Sequence, residues 1–529
     1  MVVNTGATFG DNTSPSNFDP LAMGRRQLAQ YLWSSEENYV PRITKFLPAP
    51  IELAPRPTKS EVNSFGQADA DDINVGVLSS DGKRLPPPYN MHVDDNMYAD
   101  VEEYLPRTIC ASLYSLFCIL GEPTNPLVPS PLSNDKFESK YNHQRKLVGR
   151  KFDSRRLTVG ILDYKLDQLR ELLTAWSKKS EYGMLELAQL LGILENHTRY
   201  ARWARCWFYS LQNELRRILH GRYCIAERIM KRSNRTRYYS RQMPPQLYSR
   251  ISVLLSRDKA QLLWSTKQRY KVTPEISWSI EALLHYVNVE SSPWEVHLGL
   301  VVPRVPLVSS RGDASLTGGG AYSLEFRFWL DVKWSKRVRR GACMLKPSQE
   351  GFVHINSLEF IVIILQLAAI RVRWEGILSG SDDHHTLSNI PSVLTWRGET
   401  DNTVSKSWEN KVTARTPSGQ GLVAVYAELL RTTHIHTQCD HVAGVDNVVA
   451  DDISRNDFSL SYTARREQLL QRHPLIQPLD YFRPSPELIR LLESCLFLEL
   501  GREFSMPVLP PVLGQMLPGS SIISGSVTL

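Results

Sequence analysis

The sequence lacks cysteines at the spacing of a zinc site or of a disulfide framework. Its seven cysteines include no Cys-x-x-Cys pair and follow no regular ladder of spacings. Structural zinc sites and disulfide-stapled domains need such patterns. The sequence therefore excludes both classes, and we expect the protein to work in a reducing compartment.

Targeting and membrane signals are missing as well. The N-terminus has no basic stretch followed by an apolar stretch and a small-residue cleavage site. The apolar run at 360–370 is too short to span a bilayer and contains Gln366. We therefore expect an intracellular protein, cytoplasmic or nuclear, that is not secreted and has no membrane role.

Positive charge, by contrast, is in excess. The 529 residues carry a formal net charge of +7, and basic stretches occur at 231–237 and 337–340. Both features favour a polyanionic partner, of which nucleic acid is the natural one. An excess of Lys and Arg that only keeps a large protein soluble is an open alternative. The basic cluster at 231–241 could likewise serve nuclear import or bind phosphate.

Hydrophobic periodicity changes along the chain, which is long enough for two to four domains. Residues 162–219 follow a helical pattern, and 235–300 mix helices with proline-containing breaks. From residue 307 we predict strands at 307–315, 321–334, 392–396 and 435–442, and helices at 356–370, 404–412, 421–432 and 447–455. This order predicts an α/β layout with a mixed sheet. The region after 460 has one predicted helix, at 487–500, and a Pro/Gly/Ser-rich end expected to be disordered.

Four acidic residues occupy comparable places in this α/β layout. Asp313 lies at the end of the first predicted strand, Asp401 follows a strand, and Glu359 and Asp451 lie in helices. If the strands are neighbours, these acids share one edge of the sheet. Taken singly, Asp401 could be an N-cap, Asp313 a turn residue, and Asp451 with Asp452 a solvated helix face. The glycines of Gly318-Gly-Gly-Ala-Tyr322 are expected to permit a tight turn into the next strand.

Such a carboxylate set suits divalent metal ions. Mg²⁺ prefers hard oxygen ligands, and two ions held about 4 Å apart need several convergent acidic oxygens from separate elements. The sequence therefore predicts a site for two ions of Mg²⁺ or Mn²⁺.

These motifs together resemble the ribonuclease H domain of retroelement polyproteins. The resemblance rests on Asp313-Ala-Ser with its Gly-rich turn, Asn356-Ser-Leu-Glu359, Thr400-Asp401-Asn402, and His441-Val-Ala-Gly444 followed by Asn447-Val-Val-Ala-Asp451-Asp-Ile-Ser-Arg455. It implies metal-assisted hydrolysis of the RNA strand of an RNA–DNA hybrid, with Asp313, Glu359, Asp401 and Asp451 as catalytic metal ligands.

Three further residues of this domain enter through the same resemblance. Asn402 is expected to contact nucleic acid, and His441 is a candidate for proton transfer or product release. A packed structural histidine is the alternative for His441. Asp451 is preferred over Asp452 as the last ligand by its motif position, since adjacent residues on a helix point about 100° apart.

The first half of the chain resembles a reverse transcriptase. Phe9-Gly10-Asp-Asn-Thr-Ser14-Pro15 is similar to the loop that contacts template and incoming nucleotide, and His92-Val-Asp94-Asp95 is similar to the strand–turn–strand with paired metal-binding acids. The first palm motif, which carries a further metal-binding Asp, has no room before Phe9. Polymerase activity of this chain alone is therefore not expected.

The resemblance implies an N-terminally truncated retroelement protein of mixed α/β and α+β class, from an LTR or DIRS-like element. Its parts are a partial palm at 1–160 with an insertion at about 33–88, a helical thumb at 161–235, a connection at 236–304, a ribonuclease H-like domain at 305–460 and a tail at 461–529. Two other interpretations stay open: a catalytically inactive nucleic-acid-binding remnant, and a full polymerase whose first palm motif lies upstream of a misplaced start codon.

The expected thumb helix at 200–219 has an apolar stripe with arginines around it: Trp203, Trp207, Leu211 and Leu215, with Arg202, Arg205, Arg216 and Arg217. Such a helix could follow the phosphates of a hybrid, with Arg202 and Arg205 in contact. Alternatively, the stripe is core and the arginines are solvated. Both interpretations can hold together.

Overall fold

The computed structural model describes residues 158–232, 268–288, 294–301, 306–344, 349–379, 393–498 and 507–518, apart from 199 and 415. Before residue 158 it describes short segments only. The chain divides into two compact units, Met1–Thr158 and Val159–Leu529, which are treated separately below.

The described part of the first unit contains one long helix and several short strands. Its elements are β1 (Glu52–Leu53), β2 (Asn90–His92), β3 (Asp95–Met97), α1 (Leu105–Leu120), β4 (Lys140–Tyr141), β5 (Gln144–Leu147) and β6 (Arg150–Asp153). Strands β2 and β3 pair antiparallel, with His92 opposite Asp95. This pairing supplies the two strands that were expected around Asp94-Asp95, and Asp94 itself lies outside the described residues.

The second unit begins with a helical module. Its elements are β7 (Thr158–Ile161), α2 (Asp163–Ser177), β8 (Glu181–Gly183), α3 (Met184–Thr198), a 3₁₀ turn (Arg202–Ala204), α4 (Arg205–Arg232), β9 (Arg269–Lys271), α5 (Pro274–Asn288), β10 (Val296–His297) and α6 (Leu298–Val301). The helical pattern expected from residue 162 is confirmed. The apolar stripe of Trp203, Trp207, Leu211 and Leu215 is buried, so it is core, as the structural interpretation predicted.

A seven-stranded mixed sheet follows. Its strands are β11 (Val308–Ala314), β12 (Gly318–Ser323), β13 (Phe328–Lys333), β14 (Leu394–Thr400), β15 (Ile435–His441), β16 (Asp480–Pro484) and β17 (Gly514–Leu517), in the order β15-β14-β11-β12-β13-β16-β17. Strands β14 and β15 run parallel to β11, whereas β11, β12 and β13 alternate in direction. The expected mixed sheet is confirmed.

The helices of this region are α7 (Lys336–Ala342), α8 (Ile355–Leu378), α9 (Thr403–Lys411), α10 (Pro417–Arg431), α11 (Val448–Ser454), α12 (Tyr462–Arg472) and α13 (Pro486–Cys495). The tail was predicted to hold one helix, but it contributes α12, α13 and the two strands β16 and β17. Short strands with mixed polarity, such as Asp480–Pro484, give no clear period of two, so the sequence did not reveal them.

The Gly-rich run forms a strand rather than the turn that was expected. The turn lies earlier, where Ser315 N donates to Gly318 O, and β12 begins at Gly318. A Cβ on Gly319 would lie 2.6 Å from Val362 of α8, and a Cβ on Gly320 would lie 2.5 Å from Ser454 N of α11. These glycines therefore let helices pack closely on both faces of the sheet.

Helix α8 is the central core helix. It runs for 24 residues, longer than predicted, and most of its side chains are buried on all faces of the helix. Among the described helices it is long and apolar enough to cross a membrane by length and composition, but 78% of its apolar window is buried inside the fold. Core helices of this kind pass the same test.

A buried ion pair joins the helical module to the sheet region. Arg202 donates through Nη2 to Glu409 Oε1 of α9 at 3.2 Å and through Nη1 to Thr437 O of β15 at 2.5 Å. Tyr426 of α10 donates to the same Glu409 oxygen at 2.5 Å. Glu409 is fully buried, and Arg202 is its cationic partner. The Arg202 guanidinium therefore contacts α9 and β15 directly, and α10 joins the same group through Glu409.

Replacement of Arg202 by Ala should destabilise the second unit by about 3 to 5 kcal/mol, because it leaves the Glu409 carboxylate buried without a counter-ion. The neighbouring Arg205→Ala, at an exposed position, should cost less than about 0.5 kcal/mol. Denaturant titration followed by tryptophan fluorescence measures both. A double variant, Arg202→Met with Glu409→Gln, should recover much of the stability that Arg202→Ala loses. Equal destabilisation by Arg202→Ala and Arg205→Ala would contradict this role of Arg202.

Candidate metal centre

Three of the predicted acids converge at the carboxyl edge of the sheet. Asp313 is the second-last residue of β11, Asp401 directly follows the parallel neighbour β14, and Glu359 lies one turn into α8. One carboxylate oxygen from each lies within 4.8 Å of the others. Because β11 and β14 are parallel neighbours, their ends bring two acids together and α8 supplies the third.

The cluster buries more negative charge than the protein around it neutralises. Burial, and then the charges of Asp401 and Asp451, raise the pKa of Asp313 to about 6, although a hydrogen bond from Ser454 opposes the rise. Burial, followed by Asp313 and Asp401, raises the pKa of Glu359 well above its usual value. Glu359 Oε2 is buried without a hydrogen-bond partner. A cation bound here would satisfy this oxygen.

These residues fit a divalent metal ion of the hard class. All the donors are carboxylate oxygens, which Mg²⁺ and Mn²⁺ prefer. The buried Glu359 oxygen and the raised pKa of Asp313 show that the protein alone does not compensate the charge. Asp313, Glu359 and Asp401 could therefore hold the metal.

The fourth predicted acid, Asp451, stands beside this group. It lies on α11, raises the pKa of Asp313 through its charge, and pairs with Arg455 at 2.7 Å. Asp452 points elsewhere, because it contacts His473 Nε2 at 2.6 Å. Of the two adjacent acids, Asp451 is thus the one whose charge acts on the cluster.

Asn402 takes the capping role that was considered for Asp401. Its Oδ1 accepts hydrogen bonds from Val404 N and Ser405 N at 3.0 Å, so Asn402 is the N-cap of α9. Its Nδ2 donates to Asn356 Oδ1 at 2.9 Å. Both ends of the amide therefore serve the fold, and Asp401 is left facing the cluster. The expected contact of Asn402 with nucleic acid stays a prediction.

His441 is exposed at the end of β15. It is the register partner of Thr400, the residue before Asp401. This position is next to the cluster, and the role of His441 in proton transfer stays a prediction.

Two supporting residues were missed in the sequence. Ser454 donates through Oγ to Asp313 Oδ2 at 2.7 Å, and Asn447 donates through Nδ2 to Gly312 O at 3.2 Å. Ser454 follows Asp451 by three residues, so both lie on one face of α11. That spacing, together with the predicted convergence, could have identified Ser454 as a partner of the cluster.

The predicted nucleic-acid contacts divide into two kinds. Arg202 is turned into the fold and bound by Glu409 and Thr437, which contradicts its expected contact with phosphate. Arg205 is exposed at a cavity of about 1380 Å³ between the helical module and the start of α8 and α9. Residues lining this cavity include Arg205, Arg216, Lys411, Asn356, Ser357 and Thr403.

The predicted polymerase residues fall largely outside the described part of the chain. Phe9, Gly10, Ser14, Pro15 and Asp94 lie outside the described residues, and Asp95 is described only as the first residue of β3.

Comparisons with known proteins give little beyond this geometry. No protein-family model matches the chain, and no curated protein matches it. A foamy viral protease-reverse transcriptase solved with an RNA/DNA hybrid is similar over 70% of this chain, with 11% identity and a TM-score of 0.23. Another, solved with dsDNA, is similar over 73%, with 12% identity and the same TM-score. The chain spans 37% and 60% of those two proteins. Similarity at this level does not assign the chain to a family.

The raised pKa of Asp313 predicts how stability depends on pH in metal-free protein. The folded-state pKa of about 6 exceeds the ordinary 3.8, so the native carboxyl holds its proton more tightly than the unfolded one. Stability is therefore lost as the pH rises from about 4 through about 6, by roughly 3 kcal/mol for a shift of about two units. Asp313→Asn should raise the metal-free melting temperature near pH 7 and change it little near pH 4.

Added Mg²⁺ should raise the melting temperature of the parent protein, more near pH 7 than near pH 5, because the ion binds the deprotonated cluster. The Asp313→Asn protein should lose this shift, while Asp440→Asn, a partly exposed acid on β15, should keep it. An equal Mg²⁺ shift in all three proteins would rule out metal binding by the cluster.

Proposed function

We propose that the sheet region of the second unit is a metal-dependent nuclease of the ribonuclease H type, which hydrolyses the RNA strand of RNA–DNA hybrids. The observation that carries the proposal is the convergence of Asp313, Glu359 and Asp401, with Asp451 beside them. Hydrolysis of a phosphodiester by metal ions needs such a set of acidic ligands on a rigid frame. The order of the sequence motifs supports the same reaction.

The roles of the residues follow from their contacts. Asp313, Glu359 and Asp401 would hold the metal, and Asp451 would join them once it leaves Arg455. Bound divalent ions supply an activated water and stabilise the leaving 3′ oxygen. Ser454 orients Asp313 through its hydrogen bond, and the close packing of α11 on Gly320 fixes Ser454. His441, exposed at the same edge, is placed to exchange a proton with solvent.

The substrate class follows from charge and from the neighbouring cavity. Arg205, Arg216 and Lys411 line a cavity whose wall includes Asn356 and Thr403, which flank the acids in sequence. Glu195 also lines the cavity and accepts a hydrogen bond from Gln212 at 3.0 Å. Three cations against one acid, together with uncharged polar groups, suit a nucleic-acid backbone. We therefore assign the cavity to part of the hybrid.

Asp313→Asn should lower the rate of hybrid cleavage in Mg²⁺ or Mn²⁺ by more than about 100-fold, since even residues that only support a metal ligand typically contribute 10- to 100-fold. Cleavage of a labelled RNA–DNA hybrid by the full chain measures this. Unchanged cleavage in Asp313→Asn would remove the proposed site. A parent protein that binds the hybrid but leaves it intact in both metals would instead be a catalytically inactive binding remnant.

The adjacent acids of α11 provide a matched pair. Asp451→Asn should lower cleavage by at least about tenfold and raise the Mg²⁺ concentration needed, because it removes a charge that acts on Asp313. Asp452→Asn should leave both almost unchanged, because its carboxylate contacts His473 and Arg472 instead. The reverse order of effects would assign the fourth ligand to Asp452.

A further inference from the structure

Helix α7 is an unusually basic element at the same edge of the sheet as the acid cluster. Its sequence, from residue 336, is Lys-Arg-Val-Arg-Arg-Gly-Ala, so four of seven residues are cationic. This is the basic stretch at 337–340 that the sequence singled out, and the proposed nuclease reaction does not use it.

Both ends of α7 are fixed close to the cluster. Just before it, Trp334 donates through Nε1 to Ser315 O at 2.9 Å, in the turn that follows Asp313. At its other end, Gly341 O accepts from Val353 N at 3.2 Å, just before α8, the helix that carries Glu359. The strand leading into α7 is two strands from β11, which is about 10 Å at the usual strand spacing.

The C-terminal region holds α7 rigidly in this place. Glu493 of α13 accepts a hydrogen bond from Ser335 N at 2.8 Å, and Ser335 caps α7 by accepting from Val338 N. The Arg337 guanidinium stacks 3.9 Å from the ring centroid of Phe497. The helix is therefore preorganised, and a ligand would not need to order it.

Unlike Arg337, two of the cations of α7 have no contact within the fold that would explain them. Lys336 and Arg340 are exposed and have no carboxylate partner among the described residues. They are four residues apart, so they lie on one face, where like charges repel. Lys336 also lies in the first turn, where the helix dipole disfavours a cation. Arg339 Nε, in addition, is buried without a hydrogen-bond partner.

Local charges that destabilise the free protein are typical of a surface that binds an opposite charge. We propose that α7 is a phosphate-binding platform, on which Lys336 and Arg340 contact the backbone of a nucleic acid that lies across the acid cluster. The proposal rests on the nuclease function in one respect, since that function supplies a phosphodiester substrate at this edge. It adds a second contact surface, separate from the cavity lined by Arg205, Arg216 and Lys411.

Salt dependence of binding tests the platform. In the Asp313→Asn background, which keeps a hybrid intact, fluorescence anisotropy would give affinity for a labelled RNA–DNA hybrid between about 50 and 200 mM salt. Lys336→Ala with Arg340→Ala should weaken binding on the order of tenfold and reduce the slope of log affinity against log salt by about two, one for each phosphate contact.

Two matched variants separate this effect from loss of charge in general. Lys178→Ala with Lys271→Ala removes two exposed cations from the helical module and should leave the slope unchanged. Lys336→Arg with Arg340→Lys keeps the charge of α7 and should keep the slope. The melting temperature of the α7 double-alanine variant should not fall, because the substitution relieves repulsion.

The outcomes are distinct. An unchanged salt slope in the α7 variant, with or without a lower melting temperature, would overturn the platform. An equal reduction in the Lys178/Lys271 control would overturn it too, because the effect would then be one of net charge. Cleavage by the parent protein reports on the nuclease separately, so a parent that binds with the α7-dependent slope but never cleaves would refute only the nuclease.

Discussion

Uncompensated negative charge at the sheet edge is the constraint on which the rest of the second unit depends. Asp313 and Glu359 are buried beside Asp401, and burial together with the charges of the neighbouring acids raises the pKa of both. Such a cluster persists only if the surrounding elements hold the acids together against repulsion and burial. The core helix α8, the glycines of β12 and the short helix α11 provide that support.

Close packing and ion pairs both hold the acids of the cluster in place. Gly312 and Gly319 let α8 approach one face of the sheet, and Gly320 lets α11 approach the other, so acids from strand and helix meet at one edge. Buried ion pairs then fix the surrounding elements: Arg202 binds α9 and β15, and Arg373 of α8 binds Asp480 of β16 at 2.5 Å. These cations are paired inside the fold, whereas Asp313, Glu359 and Asp401 have no ion-pair partner among the described residues.

The sequence predicted the longer helices and strands. It also predicted the three acids that lie on these elements or directly after them. Asp313, Glu359 and Asp401 were found because each lies at the end of a strand or one turn into a helix, and those ends converge in a sheet with parallel neighbours. It could not predict the inward turn of Arg202 or the cap formed by Asn402, since these depend on which elements pack together. The Gly-rich run predicts a turn equally well, because glycine permits both a turn and close packing.

The cations of the second unit fall into two groups, those with a carboxylate partner and those without one. Arg202 and Arg465 each pair with a buried carboxylate, and Arg373 pairs with the partly buried Asp480. Lys336 and Arg340 on α7, and Arg205, Arg216 and Lys411 at the cavity, find no carboxylate among the described residues. A fold that pairs its internal charges so thoroughly could have paired these as well. The acid cluster and the cations of α7 thus lie at the same edge of the sheet. A phosphate backbone with bound metal ions would neutralise the charge of both.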